Sequence, residues 1–566
     1  MVVRVGVTGH RPKDLRKAKV DLNQLEATVK AVLSKIREEA EKIFLRHADI
    51  YAGNGPILRL ISPLAEGSDR IVAKMADALN YQLEFPIPFA VDVYQDTFND
   101  TESKAQSIEE FEDLFKKGEK KLVLDGTKEA ANQAYEAMGR AMLRHSDVLV
   151  SIWDGRPPES GGTGQITSEA LKHNIPTIWI ALDSPGRAVL LNNTSESGEA
   201  GSSTDFESEI SKRLNDVLFL PSETEVLALR RFYQEKRPGP QFTHAFKAFY
   251  TVLTRQEKSS KQASLAPLAT PSLESAFSWA DGLANSYAVR HRASFMATYL
   301  LGACAVLTAF LGYSRWEDLF KLELLMIMII LAIVFVNRFR HWHDRWIDYR
   351  ILAEWLRQMR FLHPFSRITP TLKVPAYLGE DDPGPTWFNW YFRACVRQTG
   401  IPHAEVDADY VKACRELLLA AIADQEKYHG DKAKNLHLIH HGLHGLTLLA
   451  FATTLAACVL HIFFEHPAEA LFGEHTALIL TTLAIGAPAV GAALEGINHQ
   501  GEFERMSRRS KAIKNRISDL ARQIPADERN FSFRKLGRLA EDFCELQILE
   551  QTDWRSVFIG KEVNPS

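Results

Sequence analysis

The chain is short of cysteine and of net charge. Its 5 cysteines are scattered and none stands in a CxxC pair, so neither a disulfide framework nor a zinc site is indicated. A net charge of −4 on 566 residues gives no general affinity for nucleic acid. The first residues, Met1–Val7, lack the charged start and the apolar core of a signal peptide. We therefore expect the N-terminal part to remain in the cytoplasm.

Long apolar runs are missing from the first half, but four occur in the second: Phe295–Tyr313, Leu322–Val336, Leu443–Phe464 and Thr476–Ile497. A helix needs about 20 apolar residues to cross a bilayer, and the second run is short unless it tilts little or the bilayer thins. Buried helices of a large globular core are the alternative. The runs form two pairs with basic flanks, which favours four membrane spans.

Charges beside the runs predict a topology. Basic residues such as Arg290, Arg338, Lys432 and Arg505 lie on one side of the spans, whereas the loop 465–475 contains glutamates and no lysine or arginine. The positive-inside rule then places both termini and the segment 338–440 in the cytoplasm of a multi-pass inner-membrane protein.

The first half alternates predicted strands and helices. Apolar patterning predicts strands at 2–8, 58–62, 83–87, 148–153 and 176–182, and helices at 22–45, 65–79 and 128–145. This alternation is typical of an α/β Rossmann-like domain, with a parallel sheet covered by helices on both faces. Residues 184–204 are rich in Ser, Asn and Gly, and predict a loop or a disordered insert.

Three glycine-bearing turns follow predicted strands. Glycine lets backbone N–H groups approach a phosphate, and a helix N-terminus adds positive potential. Ligands of an open parallel sheet bind at the carboxyl ends of its strands, so three such turns in one domain predict a ligand pocket. The candidate residues are Thr8, Gly9, His10, Arg11, Glu66, Gly67, Ser68, Asp69, Trp153, Asp154, Gly161, Gly162, Thr163 and Gly164.

These turns, VTGHR, LAEGSDR and WDG…GGTGQ, together resemble the SLOG superfamily. That group is similar to the Rossmann-like "lonely guy" phosphoribohydrolases and to the DNA-processing protein DprA, and the resemblance covers residues 1–255. It implies a pocket for nucleotides or nucleotide-derived signals. Residues 8–11 and 66–69 would form two walls, and residues 161–164 would hold phosphate or ribose.

One departure from that family bears on catalysis. The hydrolases of the group carry a PGGxGTxxE motif that ends in a catalytic glutamate. Counted from Gly161, the matching position here is Ser168, and Glu169 is the next residue. On a helix this displaces the carboxylate by about 100°. The displacement favours a pocket that binds without hydrolysing, and a catalytic role for Glu169 stays open as the alternative.

A second resemblance lies just after the second run. The YRxxAExLR pattern of Tyr349–Arg357 is similar to the SLATT group, two-span modules found beside SLOG domains in bacterial conflict systems. Arg350 and Glu354 are four residues apart, so a helical ion pair explains them equally well. A second hairpin followed by a charged helix hints at a duplicated module.

Three further features have alternative interpretations. Small residues of the fourth run, including Gly486, Gly491 and Gly496, predict either an oligomer interface or pore lining, or packing against the third run. The aromatic stretch 387–392 fits the bilayer interface or core packing. Histidines 437, 440, 441 and 444 share a helix face, but without a cysteine or a convincing carboxylate we assign no metal.

The sequence therefore predicts a SLOG-like nucleotide-binding domain at 1–255, a linker at 256–284, a first hairpin with a cytoplasmic helical segment at 285–442, and a second hairpin with C-terminal helices at 443–566. The resemblances imply a ligand-gated membrane effector of anti-phage defence, in which a nucleotide-derived second messenger triggers a pore or membrane disruption. We expect a homo-oligomer, a signal-producing enzyme encoded nearby, no cofactor and no nucleic-acid partner. The alternatives are a membrane-tethered hydrolase of nucleotides or NAD derivatives, and a non-conducting sensor scaffold.

Overall fold

The computed structural model of the protein describes residues 1–101, 103–156, 162–193, 200–218, 222–236, 270–314, 316, 318–368, 384–463, 475–524 and 532–559. The first half folds around a sheet whose strands are β1 Val2–Gly9, β2 Ile57–Ile61, β3 Gln82–Ile87, β4 Lys120–Val123, β5 Val148–Trp153, β6 Thr177–Ala181, β7 Ala188–Asn193 and β8 Ala200–Asp205. A ninth strand, β9 Ala404–Glu405, comes from the second half. The helices of the first half are α1 Pro12–Lys17, α2 Leu22–Arg46, α3 Ser68–Ala78, α4 Val91–Gln95, α5 Lys104–Lys117, α6 Ala131–Arg144, α7 Thr163–Lys172, α8 Phe206–Leu218 and α9 Glu223–Gln234.

The strand order is β8-β7-β6-β5-β1-β2-β3-β4-β9. From β6 to β9 all neighbours run parallel, while β7 and β8 are antiparallel additions. The buried valines of β1 pack against α2 and α3 on one face, and α6 and α7 cover the other. The predicted Rossmann-like α/β class is confirmed.

The expectation of a loop or disordered insert over residues 184–204 is wrong where the structure describes them. Val189, Leu190 and Leu191 are buried in β7, which pairs antiparallel with β6. A short apolar stretch inside a polar segment is enough to extend the sheet, and the polar composition concealed it. Strand β4 and helix α5 were also missed.

The second half is helical and contributes to the sheet. Its helices are α10 Pro271–Ser314, α11 Leu319–Phe339, α12 Trp342–Leu362, α13 Trp387–Thr399, α14 Ala408–Phe463, α15 Thr476–Gly501, α16 Phe503–Ala521 and α17 Phe533–Phe558. Helix α10 begins inside the range 256–284 that the sequence predicts as a linker. Strand β9 lies just before α14 and pairs with β4, where Val406 N donates to Val123 O at 2.8 Å.

Four helices are long and apolar enough to cross a membrane: α10, α11, α14, and α15 with its continuation into α16. They contain the four predicted spans, except for Phe464, which lies outside the described residues, as does most of the loop 465–475. The second span is longer than its apolar run, since α11 has 21 residues.

The helical part contains the same arrangement of three helices twice, and we call each occurrence a copy of the helical plan. In each copy a long helix (α10 or α14) packs against the span that follows it (α11 or α15) and against a polar helix beyond (α12 or α16). Between span and polar helix stands one residue with left-handed backbone, His341 or Glu502, each at φ 49°. This agrees with the predicted duplication of the module.

Packing decides two of the open alternatives. A Cβ on Gly486 would lie 2.2 Å from Leu307, and one on Gly496 would lie 2.4 Å from Tyr299. The lack of a side chain at both glycines therefore lets α10 pack closely against α15. Gly491 faces α14, where a Cβ would lie 3.4 Å from Ala450. The small residues thus pack against the third span, as one alternative held, and also against the first. The aromatic stretch 387–392 is core, because four of its members are at most 3% exposed: Trp387, Phe388, Trp390 and Phe392.

At the amino ends of the strands, buried ion pairs join the sheet to α13. Asp147 receives two hydrogen bonds from the Arg4 guanidinium, at 3.0 and 2.9 Å, and one from Arg397 Nε at 2.9 Å. Burial opposes ionisation of Asp147, but the two guanidinium groups outweigh it and hold the pKa of this carboxyl well below its ordinary value. Nearby, Glu84 pairs with Arg59 at 3.1 Å and accepts from Ile401 N at 2.9 Å. The membrane half is therefore fastened to this edge of the sheet.

Candidate ligand site

The strand order reverses between β1 and β5. The chain runs from β1 outward to β4, and then returns to the other side of β1 to place β5 and β6. In open α/β sheets the crevice at this reversal, outside the carboxyl ends of the strands, is where ligands bind. The turns predicted from the sequence follow β1, β2 and β5, and so lie at that edge.

The first two turns are in direct contact. Both the backbone N and the Oγ of Ser68 donate to the carbonyl of His10, at 3.2 and 2.8 Å. Gly67 has φ +91°, and a Cβ there would lie 2.9 Å from both His10 O and Pro12. Only glycine fits this conformation and this approach, which leaves Ser68 and Asp69 to open α3. Thr8 and Gly9 end β1, directly before this contact.

The first and third turns also meet. His10 N donates to Ile152 O at 3.1 Å, and His10 Nε2 lies 3.2 Å from Asp154 Oδ1. Trp153 ends β5, and its carbonyl accepts from Trp179 Nε1 at 2.8 Å. Gly162 precedes α7, whose first turn holds Thr163 and Gly164, while Gly161 lies outside the described residues. The structure thus gathers the described members of the predicted site at one edge.

Arg11 reaches from the first turn to two elements that the sequence did not implicate. Its Nη2 donates to Tyr135 Oη at 3.0 Å, and its Nη1 lies 3.4 Å from Asp100 Oδ2. Tyr135 belongs to α6, so the guanidinium group of Arg11 connects the first turn to this helix by a hydrogen bond.

Glu66 serves the neighbouring loop. It is 1% exposed, and its carboxylate accepts from Ser107 Oγ at 2.6 Å, from Thr101 Oγ1 at 3.3 Å and from Asp100 N at 3.3 Å. Arg70 donates to the Ser107 carbonyl at 2.8 Å from the same turn. Glu66 therefore fixes the loop that carries Asp100, which makes it a positioning residue within the predicted site.

Asp69 is a buried carboxyl of this edge that is left incompletely paired. It is 4% exposed, and its Oδ1 has no hydrogen-bond partner among the described residues. Burial raises the pKa of its carboxyl to about 7, and the nearby guanidinium groups of Arg11 and Arg70 only partly oppose this. A carboxyl that titrates near neutrality can accept or donate a hydrogen bond to a ligand, as functional sites often require.

Glu169 is committed to a neighbouring helix. Its two oxygens accept from Nη2 and Nε of Arg140, both at 2.8 Å, and Gln165 Nε2 donates to it at 3.0 Å. Burial opposes its ionisation, but these hydrogen bonds outweigh the burial and lower the pKa of the carboxyl. A carboxylate held in a bidentate pair is poorly placed to act as a base, which supports the non-hydrolytic interpretation.

Sequence reasoning missed Tyr135, Asp100 and Ser107. Tyr135 is spaced as an ordinary helix residue, and the other two lie in or beside a polar loop without a glycine motif. Their roles arise from tertiary contacts, for which the local pattern carries no signal.

The histidine face of α14 makes contacts of another kind. His440 Nδ1 lies 3.0 Å from Asn498 Oδ1, and His444 Nδ1 lies 3.8 Å from Glu495. Within the described ranges, no group of three or more His, Cys, Asp or Glu side chains is arranged to hold a metal ion.

Comparison with known proteins finds one family match within the helical half. Residues 275–363 match a family model described as a protein of unknown function, DUF4231. The matched segment covers most of α10, all of α11 and α12, and thus the Tyr349–Arg357 pattern, in which Arg350 and Glu354 form an ion pair. No curated protein matches the chain. The SLOG and SLATT resemblances remain predictions.

Proposed function

We propose that the protein is a ligand-gated membrane effector. A nucleotide-derived second messenger binds at the carboxyl edge of the sheet, and the four apolar helices respond by forming a pore or disrupting the inner membrane. The observation that carries the proposal is the convergence of three glycine turns at the reversal of a sheet that shares its core with the membrane half. The biological setting, anti-phage defence by abortive infection, rests on the SLOG and SLATT resemblances.

Helix α6 supports the coupling between the two halves. On the pocket side, its Tyr135 accepts from Arg11 and its Arg140 donates to Glu169. Its Glu136 also accepts a hydrogen bond, at 3.3 Å, from Arg534 of α17, the last helix of the chain that the structure describes. A ligand that moves the first or third turn therefore acts on a helix already in contact with α17.

Helix α9 supports a second connection. Glu235, which follows α9, accepts from Tyr287 at 2.7 Å, from Arg345 at 2.9 Å and from Tyr349 at 3.0 Å. These partners belong to α10, the long helix of the first copy, and to α12, its polar helix. Since α10 continues into the first candidate span, the N-terminal half contacts a membrane helix through one carboxylate.

In the proposed arrangement both termini are cytoplasmic and the chains assemble as a homo-oligomer, because four helices of one chain rarely enclose an aqueous pore. An enzyme encoded nearby would supply the messenger. A ligand shifts the resting state only by its differential affinity for the two states, so the messenger must bind the open form more tightly.

Dye release from liposomes that contain the purified full-length protein tests the proposal. The ligands are a panel of cyclic nucleotides and ADP-ribose derivatives. We expect one of them to trigger release, and Gly162→Arg to abolish it while the protein stays folded by circular dichroism. Absence of release with every ligand, together with consumption of one of them, would favour the membrane-tethered hydrolase, and loss of that turnover in Glu169→Ala would assign the base. Binding without release or turnover would favour the sensor scaffold.

A further inference from the structure

The two copies of the helical plan differ in how their polar helices are covered. In the first copy, Trp346, Ile347 and Tyr349 of α12 are buried, and Asp348 accepts from Trp387 Nε1 of α13 at 2.9 Å. Counted from the left-handed residue, the corresponding stretch of the second copy is Ser507–Ser510. Ser507 and Ser510 are also buried there, but Arg508, in the place of the buried Ile347, is exposed, as is Arg505 one turn earlier.

The exposed face of α16 around these two arginines forms a shallow, open cationic groove. The groove has a volume of about 530 Å³ and is lined by Glu504, Arg505, Arg508, Arg509 and Ala512. Glu504 forms an ion pair with Arg508, and Arg509 donates to the Glu550 carbonyl at 3.1 Å. With three arginines and a single glutamate in its lining, the groove keeps a net positive charge.

The groove lies at the end of the candidate spans. Phe503, the first residue of α16, is buried in a cluster with Phe295, Met296, Ile439, Leu443 and Ile497, which belong to α10, α14 and α15. At a rise of about 1.5 Å per residue, Arg505 and Arg508 stand within about 10 Å of that cluster. If the four helices cross a bilayer, this is the depth of the lipid headgroups.

We propose that this groove binds the phosphate of an anionic phospholipid headgroup. Guanidinium groups present planar, paired donors that match phosphate oxygens, and they are less strongly hydrated than ammonium groups. Arg505 and Arg508, at positions i and i+3, share one exposed helix face and can therefore reach the same anion. The inference rests on the proposed membrane placement of the four helices, but not on the ligand or the gate.

The test is native mass spectrometry of the full-length protein in a neutral detergent, titrated with phosphatidylglycerol or with phosphatidylcholine. We expect preferential retention of phosphatidylglycerol, and a loss of about tenfold or more in its affinity in the double variant Arg505→Gln/Arg508→Gln. The matched control, Arg516→Gln/Arg522→Gln, removes the same charge from α16 and the residue that follows it, farther from the spans, and should lose less than about twofold.

Three results would overturn the proposal: equal retention of the two lipids, equal losses in both double variants, and displacement of the lipid by millimolar inorganic phosphate, which would assign the groove to a soluble anion. Failure of the lipid-site proposal can be distinguished from failure of the proposed ligand gating. Ligand-triggered dye release without a lipid preference removes only the lipid site. A lipid preference that depends on these arginines, without any ligand response, removes only the gate.

Discussion

Two buried aspartates lie at opposite ends of the parallel strands, and the fold treats them in opposite ways. Asp147, at the amino edge, is surrounded by the guanidinium groups of Arg4 and Arg397, and its pKa is lowered. Asp69, at the carboxyl edge, has an oxygen without a partner among the described residues, and its pKa is raised to about 7. Asp147 is therefore part of a structural ion-pair cluster, whereas the incompletely paired Asp69 lies at the edge to which we assign the proposed ligand.

The largest expected effect is on stability at the amino edge. Replacing Asp147 by Asn leaves two buried guanidinium groups without their shared anion, so we expect the free energy of unfolding to fall by about 3–5 kcal/mol. Urea denaturation of the detergent-solubilised full-length protein, followed by tryptophan fluorescence, measures this. The same change at the exposed Asp113 is the control, and we expect it to alter stability by less than about 0.5 kcal/mol.

The pH dependence of the stability of Asp147→Asn tests whether the ion pairs are the source of the effect. Because the folded pKa of Asp147 lies below the unfolded value, its contribution is present above about pH 4 and is lost as the pH falls further. The difference between wild type and Asp147→Asn should therefore shrink on acidification below pH 4. A difference that stays constant down to pH 2 would show that the ion pairs are not its source.

The carboxyl edge should respond with the opposite sign. The pKa of Asp69 in the folded protein, about 7, exceeds the ordinary value of an aspartate, so ionising this group costs stability as the pH rises towards 7. We expect Asp69→Asn to raise the free energy of unfolding by about 2 kcal/mol at pH 8, and by much less at pH 4.5. Destabilisation at both pH values would mean that Asp69 is structural, like Asp147.

A smaller effect is expected at Glu169. Its pair with Arg140 is partly exposed, so Glu169→Gln should cost about 1 kcal/mol of stability or less. Ligand-triggered dye release should persist in this variant, because the proposed pocket binds without hydrolysis. Release abolished in a folded Glu169→Gln protein would return the hydrolytic interpretation to first place.

Local periodicity predicted the elements that follow a simple rule. The buried strands β1, β2, β3, β5 and β6, helix α2 and the four spans were predicted from apolar spacing and run length. The antiparallel strands β7 and β8 were not, because the three buried apolar residues of β7 lie within a polar stretch and β8 has the largely polar sequence AGSSTD. Strand β9 has two residues, and its existence depends on the partner strand β4 rather than on its own sequence.

In the candidate site, too, the features marked by a local pattern were predicted and those formed by tertiary contacts were not. Glycine turns marked the positions where backbones approach closely, such as Gly67 against His10. The pairing of Arg11 with Tyr135, and the buried link of Asp147 to Arg397, 250 residues apart, join distant parts of the chain. No local pattern encodes such pairs, so the sequence predicted which turns meet at the carboxyl edge but not how this edge is connected to the helical half.

Two glycines allow the most direct test of whether the ligand binds at the carboxyl edge of the sheet. Gly67, at the carboxyl edge, and Gly400, at the amino edge, both have positive φ and no room for a Cβ, which at Gly400 would lie 2.2 Å from Glu84 Oε1. The measurement is dye release against ligand concentration for Gly67→Ala and Gly400→Ala, at a temperature where circular dichroism shows both proteins folded. We expect Gly67→Ala to lose the ligand response and Gly400→Ala, though less stable than wild type, to keep it. A full response in Gly67→Ala, or a lost response in folded Gly400→Ala, would contradict the assignment of the ligand to the carboxyl edge.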